Sequence, residues 1–349
     1  MWNLIGQSRI TSLLRRSLEA GNLAHAYLLT GPPHVGKMTL ALEMAQAVNC
    51  GAEERPCGEC DSCRKIAASG HADVQIIGLA PQENGAADRV RTEISIDQVR
   101  QVQHSASLPP FEGNYKVFII ESAEFLSNEA ANSLLKTLEE PVDNVIFILL
   151  TVSEGLLPVT VVSRCQRLEL KPVAAAEIAS ALSTGRGVEP QRAELLARLC
   201  HGCPSWAIAA ADDDSLLRQH EDEVERLQGI IAAGYGGRFA EAAATASRFS
   251  QSRSAVYELL DLWLDYWRDL LLVKLGCDDM VTNLDRAEVL ADTAGGFRLG
   301  QIRNFMDSLR RAREQLGQNV NPRLALEVLM LDMPEKEKNV TKQTVVNYG

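Results

Sequence analysis

The sequence predicts an α/β domain built on a parallel sheet, followed by an all-helical second half. Up to about Pro172, short apolar runs rich in β-branched residues alternate with helix-length segments. Strands and helices alternating at that size pair in parallel, with helices covering both faces. Beyond Pro172 strand-like runs nearly vanish, while Ala- and Leu-rich periodic stretches continue to about Met333. The 349 residues also exceed what one core holds, at roughly 100–200 residues per domain.

Ala26–Thr30 (AYLLT) reads as a short buried strand, followed by a Gly/Pro loop and a helix over Thr39–Val48. The other strand candidates are Val74–Gly78 (VQIIG), Lys116–Ile120 (KVFII) and Val145–Thr151 (VIFILLT). Between the last two, SNEAANSLLKTLEEP reads as a helix. Ser127 is its N-cap, Glu129 sits in the first turn and Pro141 stops it. Ala174–Ala211 reads as a small helical lid broken at Gly185, Gly187, Gly202 and Pro204. In Val256–Leu275, residues Val256, Leu259, Leu260, Trp263, Trp267, Leu270 and Leu271 recur at helical spacing, and Gly276 closes the helix. That stripe reads as helix-to-helix core rather than a ligand pocket. The polar tail PEKEKNVTKQTVVNYG reads as disordered.

Hydrophobic residues make up 46% and charged ones 23%, as in a soluble globular protein. The start, MWNLIGQSRI, lacks the layout of a secretion signal, and the most apolar run, Val145–Leu150, is too short to span a bilayer. A cytoplasmic protein without a membrane partner is expected. The 35 Lys and Arg against 46 Asp and Glu leave a net charge of −11. That excludes a protein coating nucleic acid with its whole surface, because phosphate binding needs clustered cations. Contact with DNA at one small patch, or through partners, is compatible with it.

Gly31-Pro32-Pro33-His34-Val35-Gly36-Lys37 follows a strand and opens a helix, the context of a Walker A phosphate loop. Glycines let backbone N–H groups approach phosphate oxygens, the helix N-terminus adds its dipole, and Lys37 supplies a charge. The candidate nucleotide-binding residues are Gly31, Gly36, Lys37 and Thr39. In the consensus a Ser or Thr follows the Lys and ligates magnesium; here Met38 stands in that place. A thioether is a poor ligand for hard Mg²⁺. Thr39 comes one residue late, rotated by about 100° around the helix. The residues leave two readings open for ATP: a bound nucleotide, or a loop that keeps only the shape.

A hydrolytic enzyme of this kind places an Asp for Mg²⁺ and a Glu for water at the end of a buried strand. KVFII is such a strand, and Glu121-Ser122-Ala123-Glu124 follows it. Glu121 takes the Asp place, and Ser122 takes the Glu place, where an unactivated hydroxyl cannot act as a general base. ATP hydrolysis by this chain is not expected.

Four of the eight cysteines, Cys50, Cys57, Cys60 and Cys63, form C-x6-C-x2-C-x2-C directly after the loop's helix. C-x2-C turns deliver pairs of sulfurs from one short loop, and four thiolates suit tetrahedral Zn²⁺. With every position filled by protein, such a zinc is structural. An iron–sulfur cluster or free thiols are the other readings. His71 lies beyond the module and does not read as a ligand.

These motifs together resemble the bacterial DNA polymerase III clamp-loader AAA+ subunits. The similar stretches are Ile5-Gly6-Gln7, AHAYLLTGP, EISIDQVR, YKVFIIESAE, AANSLLKTLEEP, LLPVTVVSRCQRLEL and, near the end, NPRLALEVLML. The resemblance implies a RecA-like P-loop domain over residues 1–171 with a zinc module at 50–63. It further implies a helical lid over 172–212, a helical collar for oligomerisation over 213–333, and a disordered tail over 334–349.

Within the family, gamma/tau subunits are motors with intact motifs, whereas delta-prime types often carry degenerate ones. Met38, Glu121 and Ser122 depart in the delta-prime direction. The stretch GCPSWAIAA lacks the family's sensor Arg, and the chain ends soon after the collar. In Ser163-Arg164-Cys165, the resemblance implies that Arg164 acts in trans as an arginine finger at a neighbour's ATP site. The expected partners are gamma/tau and delta subunits, the sliding clamp transiently, and primer–template DNA through the complex.

Two rival readings remain. The first is an ATP-hydrolysing gamma/tau-like motor, which Met38 and Ser122 oppose. The second is a DNA-reading zinc protein, opposed by the acidic balance and by the few cations near the module, Arg55, Arg64 and Lys65.

Overall fold

The computed structural model describes Trp2 and residues 4–79, 93–318 and 320–336. The chain divides into two compact units, Met1–Ile208 and Ala209–Gly349. The expected disordered tail lies, from residue 337 on, outside the described residues.

The first unit runs α1 (Ser8–Glu19), β1 (Ala26–Thr30), α2 (Lys37–Asn49), α3 (Asp61–Ala67), β2 (Val74–Ile77), α4 (Ile96–Ala106) and β3 (Lys116–Ile120). It continues with α5 (Asn128–Glu139), β4 (Val145–Thr151), α6 (Val159–Val162), β5 (Gln166–Glu169), α7 (Ala175–Arg186) and α8 (Pro190–Leu199). The division between the units falls within α9 (Pro204–Asp212). The five strands form one sheet in the order β2-β3-β4-β1-β5, and every pairing is parallel. Every residue of β3 and β4 is buried, which is why those runs are apolar apart from Lys116 at the start of β3 and Thr151 at the end of β4.

Alternate residues of the strands feed two separate cores. Leu28, Phe118, Ile120, Phe147 and Leu149 pack with α4 and α5 through Val99, Val102, Leu134 and Leu138. Tyr27, Leu29, Val117, Ile119, Ile146 and Ile148 pack on the other face with Leu14, Leu40 and Met44 of α1 and α2. Phe118 and Phe147 stack at 5.3 Å across β3 and β4. The expected cap holds: Ser127 accepts the N–H of Ala130, and α5 ends two residues before Pro141.

Three local features were not legible in the sequence. The β-branched VTVV before Arg164 forms the single helical turn α6, started by the carbonyl of Pro158, which accepts N–H bonds from Val161 and Val162. The last strand is β5, which sequence reading missed because only Leu168 of its residues is buried at the sheet edge. Gly185 lies inside α7 instead of breaking it; the helix closes at Gly187, whose φ of 69° is the left-handed cap conformation.

The second unit contains α10 (Asp214–Ala232), α11 (Tyr235–Gln251), α12 (Arg253–Lys274), α13 (Ala287–Gly295), α14 (Leu299–Gly317) and α15 (Pro322–Asp332), with no strand among its described residues. The aromatic stripe of α12 is core, as expected: Trp263, Tyr266 and Trp267 are buried, and the Trp267 ring lies 4.6 Å from that of Phe305 and 5.2 Å from that of Phe297. Buried Asp269 accepts the N–H groups of Thr282 and Asn283, both at 2.9 Å, and so fastens the segment after α12. Buried Arg238 on α11 donates to the carbonyls of Ile231 and Pro334. Each spans backbone acceptors or donors that would otherwise be buried unpaired.

Candidate phosphate loop and metal centre

The phosphate loop leaves the C-terminal end of β1, at the strand edge where open α/β sheets bind ligands. Both of its glycines are obligatory. A Cβ on Gly31, whose φ is 145°, would lie 2.4 Å from the carbonyl oxygen of Leu170. One on Gly36, whose φ is 107°, would lie 2.7 Å from Leu4 Cδ1. Val35 is fully buried and pins the loop from below. From the start of α9, the N–H of Ser205 donates to the carbonyl of His34 at 3.1 Å.

Lys37 closes the loop on itself. Its Nζ donates to the carbonyl oxygens of Gly31 at 2.6 Å and Pro32 at 2.8 Å. Burial lowers the pKa of this ammonium, against the upward pull of Glu124 and Cys203. Met38 is half-buried and packs with the α2 side of the sheet core. Thr39 is exposed. The structure therefore brings Gly31, Gly36 and Lys37 into one loop and leaves Thr39 facing solvent.

At the end of β3, Glu121 is exposed and Ser122 has a φ of 53°. This left-handed turn starts a short 3-10 segment, Ala123–Phe125. The carboxylate that acts on Lys37 is that of Glu124. Its Oε2 is buried without a hydrogen-bond partner among the described residues. No spacing rule reveals a turn that redirects the chain at Ser122 and brings Glu124 to bear on Lys37.

Arg164 follows α6. It donates through Nη1 to the carbonyl of Thr160 at 2.9 Å and through Nη2 to Glu139 Oε1 at 2.7 Å. Its side chain remains about one-third exposed (34%). Next to it, burial pushes the Cys165 thiol up to about 11, so that cysteine is a packed, unreactive side chain.

The four cysteines converge. Their sulfurs all lie within 4.8 Å of one another, with Cys50 and Cys60 3.9 Å apart and Cys57 and Cys63 4.0 Å apart. Thiolates about 2.3 Å from a tetrahedral zinc stand about 3.8 Å from each other, so the donor set fits that metal. Cys50 ends α2, and Cys60 precedes α3, which carries Cys63. The Cys60 N–H donates to Cys57 Sγ at 3.3 Å, and Gln46 Nε2 donates to the Cys63 carbonyl at 2.9 Å. Backbone donors at Cys60 and Glu59 pull the Cys57 thiol down to about 6, whereas burial pushes Cys63 up to about 12. This cluster could hold a metal ion.

A family model described as DNA polymerase III, delta subunit, matches residues 6–174. A second, for the C-terminal part of that subunit, matches residues 241–335. The chain belongs to the family of DNA polymerase III clamp-loader subunits. Among clamp-loader subunits, the tau subunit of Bacillus subtilis is 28% identical over 94% of this chain and 60% of its own length. The delta' subunit of the same organism is also 28% identical, over 94% of this chain and 96% of its own. The chain thus spans less than two thirds of the tau relative and nearly all of the delta' relative. A solved gamma subunit-related protein from Thermotoga maritima aligns over 92% of this chain and 98% of its own at 16% identity, with a TM-score of 0.41. The strand order β2-β3-β4-β1-β5 and the phosphate loop leaving β1 give this clamp-loader chain a P-loop AAA+ fold. No described helix is long and apolar enough to cross a membrane.

Sequence reasoning also missed Asn49 and Asp73. Both are buried polar side chains that bind backbone N–H groups of the segment before β3. A polar residue inside an otherwise apolar stretch is the signal that could have found Asn49, beside Cys50.

Proposed function

We propose that this chain is the delta-prime subunit of the DNA polymerase III clamp loader, a stator that hydrolyses no ATP. The observation that carries the reading is a phosphate loop retained in shape but stripped of its chemistry. Met38 offers no hard oxygen for Mg²⁺, Ser122 offers no general base, and the Lys37 ammonium is spent on the carbonyls of Gly31 and Pro32. In this reading the division is an AAA+ domain over 1–171, a lid over 172–212 and a collar over 213–333 that joins gamma/tau and delta subunits. The assembly would open the sliding clamp and place it on primer–template DNA in the cytoplasm.

Arg164 is proposed as a finger for the ATP site of a neighbouring subunit. A guanidinium fork stabilises the charge that spreads over a transferring phosphoryl group. Cys50, Cys57, Cys60 and Cys63 would hold a structural Zn²⁺, which supplies folding energy and no chemistry to the reaction.

The test is ATPase measurement on the isolated chain, with and without primed DNA, beside the reconstituted assembly. The proposal expects no turnover above background from the chain alone. Turnover abolished by Lys37→Ala would establish the alternative, a gamma/tau-like motor, which the intact Gly36-Lys37 pair favours.

A further inference from the structure

We propose that the cysteine centre and the segment entering β3 form one mechanical unit, so that a metal ion on the cysteines sets the position of the exposed Phe111 ring. This rests on the reading of the cysteines as metal ligands and assigns that metal a specific mechanical role. Phe111 is 86% exposed, yet the backbone that carries it is held at every residue from 111 to 115. The Asp73 carboxylate accepts the N–H groups of Phe111 at 2.7 Å, Glu112 at 2.8 Å and Gly113 at 2.8 Å. Asn49 Oδ1 accepts the next two, from Asn114 at 2.8 Å and Tyr115 at 2.9 Å. Its Nδ2 donates to the Tyr115 carbonyl at 3.1 Å and to Ala45 at 3.2 Å.

Asn49 belongs to the metal module, and so does a further holding point, Lys65. Asn49 is the residue before Cys50 and the last of α2, whose C-terminal carbonyls have no onward helical partners. Lys65, two residues after Cys63, pairs with Glu112, whose other oxygen accepts the Ala72 N–H at 3.1 Å. The fit between the parts is close: a Cβ on Gly113 would lie 2.5 Å from Asn49 Oδ1 and 3.1 Å from His71 Cε1. A metal on Cys50 and Cys63 fixes the end of α2 against α3, and so fixes both Asn49 and Lys65. Without it, α2 and α3 stay joined through Ile66, which shares a buried core with Met44 and Val48, and through the Gln46 bond to the Cys63 carbonyl, while Cys50 at the helix end is left with its thiol contact to Cys60. Asn49 can then move with the fraying end of its helix.

The test is hydrogen exchange of the full chain, loaded with zinc and after removal of zinc by a chelator, with metal content read by elemental analysis. The expected result is exchange at least about tenfold faster at the amides of Phe111 to Tyr115 after removal, with β1 and β4 amides unchanged, as in a local opening. Asn49→Ala in the zinc-loaded chain is expected to release Asn114 and Tyr115 with the zinc retained. Loop amides that stay protected once zinc is lost would overturn the proposal. So would β1 and β4 opening together with the loop, because the effect would then be global unfolding. A chain that carries no metal and takes none up fails the metal reading itself, which elemental analysis separates from a failure of the coupling.

Discussion

Arg164 Nη2 lies 2.7 Å from Oε1 of Glu139, so the guanidinium after α6 is held by the last residue of α5. Both side chains are well exposed, at 34% and 50%, and such a pair contributes no more than about 1 kcal/mol. The contact orients Arg164 without committing it, since a γ-phosphate outbids one solvated carboxylate. Arg164→Ala is therefore expected to leave folding, metal content and assembly intact while lowering ATPase of the reconstituted loader. Arginine fingers contribute on the order of 10³–10⁵ in rate at one site, and the whole complex loses less because other sites keep their donors. Arg164→Lys is expected to be nearly as damaging, because an ammonium lacks the bidentate fork. Glu139→Gln is expected to retain full activity. Unchanged ATPase in the Arg164→Ala complex would reduce that arginine to a surface residue.

Nucleotide affinity is expected to be weak and insensitive to Mg²⁺, as titration calorimetry with ATP in the presence and absence of the ion would read. Met38 supplies no oxygen ligand, and Lys37 must first leave two carbonyls. Affinity that rises more than about tenfold with Mg²⁺ would contradict this account of the loop.

Elemental analysis is expected to return one zinc per chain and no iron. Cys60→Ser is expected to lower metal content and to destabilise the segment after α2, because a structural zinc site contributes directly to folding. Four freely titrating thiols in the native chain would remove the site.

Asp73→Asn is expected to cost on the order of 3 kcal/mol in urea unfolding at neutral pH, since it weakens three charge-assisted bonds at a buried position. Burial opposes the charge of Asp73, but the three backbone N–H donors and His71 outweigh it and hold the carboxyl below the usual carboxylate range. A depressed folded-state pKa means that the stabilisation is complete above the ordinary carboxyl pKa and is lost as pH falls through the folded value. The difference between wild type and Asp73→Asn is thus expected to be flat from neutral pH down to about 5 and to shrink below about 4. A difference independent of pH would show that the lost shape of the acceptor, not its charge, is what matters.

Much of this was legible in the chain itself. The strands β1, β3 and β4 are apolar runs but for one terminal residue each because both their faces are buried, and the Ser127 cap and the cysteine spacing are local geometry. Sequence alone could also show that Met38 and Ser122 lack the chemistry their positions call for, since that depends on atom types and not on contacts.

Tertiary structure decided the rest. Valine's strand preference at Val159–Val162 yielded to a helical turn begun at Pro158, and β5 is a strand only because β1 offers it an edge. Glu139 meets Arg164 across 25 residues, Asn49 meets Tyr115 across 66, and Asp73 meets Glu112 across 39. Glu124 acts on Lys37 because the chain turns at Ser122 beside a strand order that sets β3 and β1 on either side of β4. Such meetings depend on which strands are neighbours. Strand order is settled by how two whole cores pack on the sheet, a collective property that no local pattern of residues carries.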